Sequence, residues 1–174
     1  MLRNFVDVIG IADPSEFPAI LPTNPNTQYI IQEELIIPAE KPDVEQIIST
    51  LVEATVTNSR VIATPVGIKV VVDGELNEKV IYTALEPAQS VHSAHYMEPF
   101  CTFIEIPLII PAGMSVTDLL LSLGLTLNDV LTAPTQVLIE DVSIDLLDPR
   151  TIDKCVVLFI WATIDPVLVP VLAP

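Results

Sequence analysis

The chain has two histidines, His92 and His95, and they are the first residues whose type and spacing could support metal chemistry. On a helix, a spacing of three would place both rings on one face, where they could bind a metal ion together with Glu98. On a strand, the same spacing directs the two rings to opposite faces. The flanking residues favour a strand, so we expect two histidines on a sheet and no metal site there.

Loop carboxylates are the second group that could bind a metal ion. Calcium takes several oxygen ligands from one loop, and no EF-hand-type loop occurs in the sequence. We expect no cofactor, and a calcium ion shared by Asp148 and Asp153 is the one alternative. The competing interpretation is that Asp148 caps its own turn.

Arg150 lies in the same turn and is one of only seven basic residues. Its neighbours along the chain include Asp148 and Asp153. We expect a local ion pair that fixes the turn. A contact between Arg150 and an acidic neighbouring subunit is the alternative.

The sequence carries no local signature of a catalytic site. Its five glycines, at positions 10, 67, 74, 113 and 124, are scattered, so there is no glycine-rich phosphate loop. Neither a GxSxG nucleophile elbow nor an HExxH zinc motif occurs. A carboxylate-based hydrolase would need acids that converge in a cleft with shifted pKa values, and the sequence gives no sign of convergence. We therefore expect no catalytic residue and no enzyme.

The composition argues against several classes of partner. The 174 residues include 23 acids and 7 bases, which gives a formal net charge of −16. Phosphate backbones and anionic membrane surfaces would be repelled, so we expect neither nucleic-acid binding nor membrane insertion. Hydrophobic residues make up 51% and aromatic residues only 5%, which favours packed strands over a surface for stacking bases.

The two cysteines, Cys101 and Cys155, form neither a CxxC motif nor a metal-type spacing. Each lies in an apolar run, which predicts buried free thiols, and a disulfide between them is left open. The first residues lack the apolar stretch of a secretory signal. The apolar run 155–164 is about half as long as a membrane span. We expect synthesis inside the cell and no membrane crossing.

Residues 1–28 differ from the rest of the chain and are predicted to form an extended arm. Residues 5–11 could form one short strand. Prolines follow at positions 14, 18, 22 and 25, and this spacing interrupts both helices and sheet ladders. The arm could be disordered, fold back on its own domain or lie on a neighbouring subunit.

Alternating apolar residues predict one domain of strands over residues 29–165. In residues 116–127, five leucines at every second position favour a strand, although Ser115 and Asp118 resemble a helix N-cap. We predict an all-β fold, an antiparallel β-sandwich of about eight strands that follows the proline-rich arm and precedes a proline-rich tail at 166–174. The other predicted strands are 29–37, 44–56, 66–82, 89–97, 100–110, 137–146 and 154–164.

Turn residues subdivide this pattern. Asn58-Ser59 is a turn signal, and Asp148-Pro149-Arg150 has proline at the second position that turns prefer. The predicted strand at 66–82 has its apolar residues at even-numbered positions, and Gly74 occupies one of these positions. A strand that bends at Gly74 keeps this phase, so we favour it over a hairpin.

Five segments together carry a family resemblance. They are Ile37-Pro-Ala-Glu-Lys-Pro-Asp-Val-Glu-Gln-Ile47, Lys69-Val-Val-Val-Asp-Gly-Glu-Leu76 with Val80-Ile-Tyr82, Gln89-Ser-Val-His92, Pro99-Phe-Cys-Thr-Phe-Ile-Glu-Ile106 and Ile139-Glu-Asp-Val-Ser-Ile-Asp-Leu-Leu-Asp-Pro-Arg150. In this order they resemble the SPOCS domain, which is found in spore-coat and spore-morphogenesis proteins of endospore-forming Firmicutes. The resemblance covers about residues 30–165 and leaves out the arm.

The resemblance implies a non-enzymatic protein that builds or attaches layers around the spore and is made in the mother cell. Known members often carry repeated SPOCS copies or a C-terminal LysM module. From these 174 residues we expect one copy and no LysM-like tail. Peptidoglycan binding is therefore not carried over to this chain.

The leading functional prediction is a structural, self-assembling protein of the spore surface, a subunit of a coat layer or fibre made in the mother-cell cytoplasm. Exposed strand edges can pair with other chains, and the arm could add a strand to the next subunit. A monomeric adaptor that binds a spore morphogenetic protein is the alternative, and other spore-coat proteins are further candidate partners. The predicted subunit contacts are Phe5, Val6, Val8, Ile9, Ile11 and Arg150.

Overall fold

The structure, a computed structural model, describes residues 6–174, which form seven strands, one α-helix and three short 3-10 turns. The strands are β1 (Asp7–Ile9), β2 (Asn26–Ile36), β3 (Val44–Thr64), β4 (Gly67–Ala84), β5 (Val91–Pro107), β6 (Leu131–Asp148) and β7 (Thr151–Ile164). The helix is α1 (Val116–Ser122), and the 3-10 turns are Pro14–Glu16, Leu127–Asp129 and Pro166–Val171.

The strands form two sheets that contribute to one shared core. The four-stranded sheet has the order β1-β3-β4-β5, and the three-stranded sheet has the order β2-β7-β6. All neighbouring strands are antiparallel except β1, which runs parallel to β3. Buried side chains of β4, such as Val70, belong to the same apolar cluster as Val156 and Leu158 of β7. The prediction of a mostly β fold is confirmed.

The central strands β4 and β7 follow the alternation that the sequence predicts. In both strands the even-numbered side chains are buried and the odd-numbered ones are half-buried, because one face meets the other sheet. Gly74 lies inside β4 without ending it, so the prediction of one long strand is confirmed. A Cβ at Gly74 would lie 2.7 Å from Cε1 of Phe100, so the absence of a side chain makes room for that ring.

Two predicted interruptions of the four-stranded sheet are wrong. Asn58 and Ser59 lie within β3 next to a bulge, and the turn comes at Pro65 and Val66 instead. The turn signal of Asn58 is overridden because the ladder with β4 continues past it. The predicted strands 89–97 and 100–110 form the single strand β5, since β5 is an edge strand and tolerates Pro99.

The leucine-rich segment 116–127 is not a strand, and its first part forms the helix α1. The capping box of Ser115 decides the outcome: its Oγ accepts from the Asp118 N–H at 3.1 Å, and the Asp118 carboxylate accepts from the Ser115 N–H. Val116, Leu119 and Leu120 are buried, which is the spacing of one helical face. No helix among the described residues is long and apolar enough to cross a membrane.

The described part of the arm packs on its own domain. β1 pairs with β3, with Val8 opposite Thr50, which places the short predicted strand at Asp7–Ile9. The Ala12 N–H donates to the Ile139 carbonyl of β6 at 2.9 Å. Further along, the Phe17 ring contacts the Phe159 ring at 5.4 Å between centroids. In this single chain the described part of the arm therefore folds back on its own domain.

Candidate functional site

A buried ion pair lies between the two sheets. Lys154 on β7 places its Nζ 2.5 Å from Oε2 of Glu78 on β4, and the two side chains are 1% and 2% exposed. Oε2 of Glu33 on β2 lies 3.7 Å from the same Nζ. Three strands from both sheets therefore meet at one cation. Removing two charges from water to this extent is costly, and each charge is stable there only because the opposite charge lies beside it.

The ion pair divides the hydrophobic core into two clusters. On β4, Leu76 belongs to one cluster and Val80 to the other. Glu78 lies between them, and its side chain is buried on the same face of the strand. On β7, Val156 and Ile152 stand in the same relation around Lys154. A shift of either strand by two residues would leave each charge facing an aliphatic side chain. The pair therefore fixes the register of one sheet against the other.

Burial is the main influence on the pKa values of Glu78 and of Tyr96 near the ion pair. Burial raises the pKa of Glu78 above its ordinary value, against the opposing effect of the Lys154 hydrogen bond and charge. Burial also raises the pKa of Tyr96 to about 12. The Tyr96 hydroxyl donates to the Ile36 carbonyl at 3.1 Å and so links β5 to β2. Because Glu78 and Lys154 are closed to solvent, the ion pair is suited to holding the two sheets together rather than to binding a substrate.

The sequence analysis did not single out Glu78, Lys154 or Glu33, although a signal was present. The apolar residues of β4 occupy even-numbered positions, and Glu78 is a charged residue at one of these positions. Lys154 interrupts the even phase of β7 in the same way. A charged residue at a core position is rarely buried without a partner, so two such positions of opposite charge predict a pair.

Arg150 forms its ion pair with Asp43 at 2.5 Å, so the predicted local pair with Asp148 or Asp153 is wrong. Its guanidinium also donates to three carbonyls in the β2–β3 connection: Lys41 at 3.3 Å, Ile37 at 3.1 Å and Pro38 at 2.7 Å. The planar guanidinium can bind several acceptors at once, which explains why the distant turn is preferred. Arg150 thus ties the β6–β7 hairpin to the β2–β3 connection.

Asp148 and Asp153 occupy different environments. Asp148 Oδ1 accepts from the Arg150 N–H at 2.7 Å, so the aspartate caps its own turn. Backbone and side-chain hydrogen bonds lower the pKa of Asp148. Asp153 lies on β7 between Glu34 of β2 and Asp145 of β6, in one row across the sheet. Over residues 6–174, no group of three or more His, Cys, Asp or Glu side chains is arranged to hold a metal ion.

The two histidines lie on opposite faces of β5, as the sequence predicts. His92 stacks on the Tyr82 ring with 5.9 Å between centroids and lies 2.9 Å from the Ser90 hydroxyl. His95 is exposed and pairs across the strands with Lys79 of β4. The rings do not converge, so they cannot share a metal ion.

Both cysteines are free, but the prediction that they are buried is wrong. Cys101 is exposed on β5, and Cys155 is half-buried on β7, which belongs to the other sheet. Each occupies an odd position of its strand, and the odd positions face away from the core. A hydrogen bond to the Asp73 carboxylate raises the pKa of the Cys101 thiol.

Four of the five predicted subunit contacts of the arm lie in the described residues, and these four divide into two groups. Phe5 lies outside the described residues. Val6 and Val8 pack against the two core clusters of their own chain. Ile9 and Ile11 are 51% and 42% exposed, so they remain open to another molecule.

The outer face of the four-stranded sheet carries a depression of about 360 Å³. Two rows of cross-strand neighbours build it, and each row takes one residue from β3, β4 and β5 in turn. The first row is Leu51, Lys79 and His95, and the second is Glu53, Asn77 and Met97. We refer to these six residues as the outer depression. It combines apolar side chains with one cationic side chain, Lys79, and one carboxylate, Glu53.

The sequence matches one protein-family model, described as SipL, SPOCS domain, over residues 43–118. This match confirms the resemblance given by the sequence segments. It covers β3, β4 and β5 and reaches into α1, whereas the fifth segment at 139–150 lies outside it. No curated protein and no solved structure matches the chain. The family match indicates a role related to sporulation.

Proposed function

We propose that this chain, which matches the SPOCS domain family over residues 43–118, is a structural protein of the spore surface that assembles with copies of itself. It is made in the mother cell and forms part of a coat layer or fibre. The family match supports the sporulation setting. The observation that carries the assembly proposal is the difference between the two lateral borders of the paired sheets.

At one border, called the closed border, the arm pairs with residues 49–51 of β3, and the opposite border is open. At the closed border β1 pairs with β3, and Ala12 donates to Ile139 of β6, so the arm spans both sheets. At the open border β5 and β2 are edge strands. Between Val91 and Ile106, the described residues give β5 a sheet partner on one side only. Such an edge presents unpaired N–H and C=O groups to another chain.

The arm supplies the second contact by exchange between copies. β1 has only three residues, and the same pairs with β3 can form when a neighbouring copy supplies the strand. Val8, which is half-buried on its own chain, would keep the same apolar contacts in the exchanged arrangement. The contact between Phe17 and Phe159 holds the following segment on its own sheet, so among the described residues only 6–12 need to move. Repeated in one direction, this exchange does not close and yields a fibre.

Charge opposes close association. Each copy has a net charge of −16, and the row of Glu34, Asp153 and Asp145 places three carboxylates on adjacent strands. Like charges repel within a Debye length of about 8 Å at physiological salt. Apolar and backbone contacts must therefore offset this repulsion, and added salt should favour association.

A non-catalytic role is consistent with the buried ion pair, because Glu78 and Lys154 are not accessible to a substrate. The adaptor alternative predicts a chain that remains monomeric at all concentrations and binds one morphogenetic partner. The two hypotheses therefore differ in the oligomeric state of the purified protein.

A disulfide between β1 and β3 tests the arm exchange. Val8 and Thr50 are partners in the ladder, so Val8→Cys with Thr50→Cys places two thiols side by side. In a background of Cys101→Ser and Cys155→Ser, we expect the oxidised protein to run as dimers and larger multimers on a non-reducing gel. The disulfide joins two chains because β1 of one copy lies on β3 of the next.

The matched control is Gln46→Cys with Thr83→Cys, a pair within the β3–β4 ladder. This pair should cross-link within one chain only. If the β1–β3 pair also gives only monomers with an internal disulfide, the arm stays on its own subunit and the exchange is wrong.

A further inference from the structure

The arm is bound to its own domain on both sides of Gly10. Before it, Val8 of β1 pairs with Thr50 of β3, and after it, the Ala12 N–H donates to the Ile139 carbonyl of β6 at 2.9 Å. We infer that Gly10 is the hinge of an autoinhibitory latch, in which the docked arm covers the β3 edge that the arm of a second copy would bind. This inference rests on the proposed arm exchange and names what regulates it.

The backbone at Gly10 has a conformation that other residues rarely adopt. Its φ is +121°, in the region that favours glycine. A Cβ at this position would overlap the carbonyl oxygen of Val52 and lie 3.0 Å from its carbonyl carbon. The chain passes this close to β3 because β1 follows β3 as far as Ile9 and must then leave it to reach β6. The docked position of the arm therefore depends on glycine at position 10.

The residues that change path in an exchange lie between Ile9, the end of β1, and Asp13, where a fixed turn begins. The Asp13 carboxylate caps the 3-10 turn Pro14–Glu16. Among residues 10–12, Gly10 alone has a positive φ, so its conformation is the one tied to the docked path. Rotation at Gly10 lets β1 leave the β3 strand of its own chain.

The docked arm and an incoming arm compete for the same site. Residues 7–9 occupy the edge of β3 at residues 49–51. One edge cannot pair with two strands at once, so a second copy binds only to a chain whose own arm is released. The arm of the same chain is always nearby, which favours the docked form at low protein concentration. The apparent affinity between copies is reduced by the fraction of chains that are released.

A side chain at position 10 affects the docked and exchanged forms differently. Gly10→Ala strains the docked arm, because the new Cβ meets the Val52 carbonyl and alanine disfavours a positive φ. The exchanged arm crosses to another copy by a different path and does not need this φ. The substitution should therefore release the docked arm and strengthen association. A glycine that both forms require would give the opposite sign, a weaker association.

Sedimentation velocity of Gly10→Ala over a concentration series tests the hinge. We expect the mean mass to rise above 19.0 kDa at about a tenfold lower concentration than for the wild type. Gly113→Ala is the matched control, because Gly113 also has a positive φ, +79°, but an added Cβ there would meet no atom within 4 Å. It lies in the β5–α1 connection and should associate like the wild type.

Hydrogen exchange at a concentration at which the wild type is monomeric measures the latch without assembly. The amides of residues 7–9 should exchange about tenfold faster in Gly10→Ala, whereas the amides of β4 should keep their rates and so report that the variant is folded. Equal exchange at residues 7–9 in both proteins would overturn the hinge.

The outcomes separate this inference from the proposed function. A wild type that associates, with Gly10→Ala associating no more strongly, overturns the hinge alone. A wild type and a Gly10→Ala variant that both stay at 19.0 kDa at every concentration overturn the proposed assembly and the latch together.

Discussion

Lys154→Met is expected to destabilise the protein by about 3–5 kcal/mol, the largest effect of any single substitution considered. The change leaves the Glu78 carboxylate buried without its cation, and Glu33 at 3.7 Å from the lost Nζ adds a second uncompensated charge. Urea unfolding followed by circular dichroism measures the free energy of unfolding. Lys69→Met is the matched control, because its partner Glu105 is 61% exposed, and it should cost less than about 1 kcal/mol.

Two further measurements check the cause of this loss. Adding Glu78→Leu to Lys154→Met should recover much of the stability, because an apolar pair of similar volume replaces a half-broken ion pair. The pKa of Glu78 is already raised above 4.5, so its protonated form favours the folded state. The loss in Lys154→Met should therefore be larger at pH 7 than below about pH 5. An equal loss at both pH values, or no recovery in the double variant, would contradict the assignment.

Arg150→Ala is expected to lower the free energy of unfolding by about 2–3 kcal/mol. It removes the ion pair with Asp43 and leaves the carbonyls of Ile37, Pro38 and Lys41 without this donor. Ile37 is 1% exposed, so water cannot readily replace the guanidinium there. The same urea titration gives the difference.

Arg60→Ala provides the comparison for Arg150, because Arg60 pairs with one aspartate, Asp73, and its side chain is 55% exposed. Its loss should change the free energy of unfolding by less than about 1 kcal/mol. If the two substitutions have equal effects, Arg150 does not link the two connections, and its role would lie outside the isolated chain.

The parts of the fold that the sequence predicts are those decided by local pattern. The even phase of β4 and β7, the passage of the strand through Gly74 and the turn at Asp148 all depend on alternation or on turn chemistry within a few residues. Periodicity failed for the leucine segment, where the capping box of Ser115 and burial on one helical face decided the structure. Pattern alone does not resolve this competition, because both patterns use the same leucines.

The candidate sites were harder to predict because they depend on strand pairing over long distances. Lys154 and Glu78 are 76 positions apart, and only the packing of two sheets brings them together. Arg150 meets Asp43 across 107 positions, so the nearby Asp148 and Asp153 were the wrong partners to consider. The outer depression likewise requires the registers of β3, β4 and β5. A charged residue within an apolar phase is the one local signal that would have identified the ion pair.

Sedimentation velocity of the full chain over a range of concentrations tests the central claim, that copies of this protein associate with one another. At about 0.15 M salt we expect the mean mass to exceed 19.0 kDa and to rise with concentration without a plateau. Higher salt should increase it further, because screening weakens the repulsion between copies of charge −16. A single species of 19.0 kDa at every concentration and salt would contradict the account and favour a monomeric adaptor.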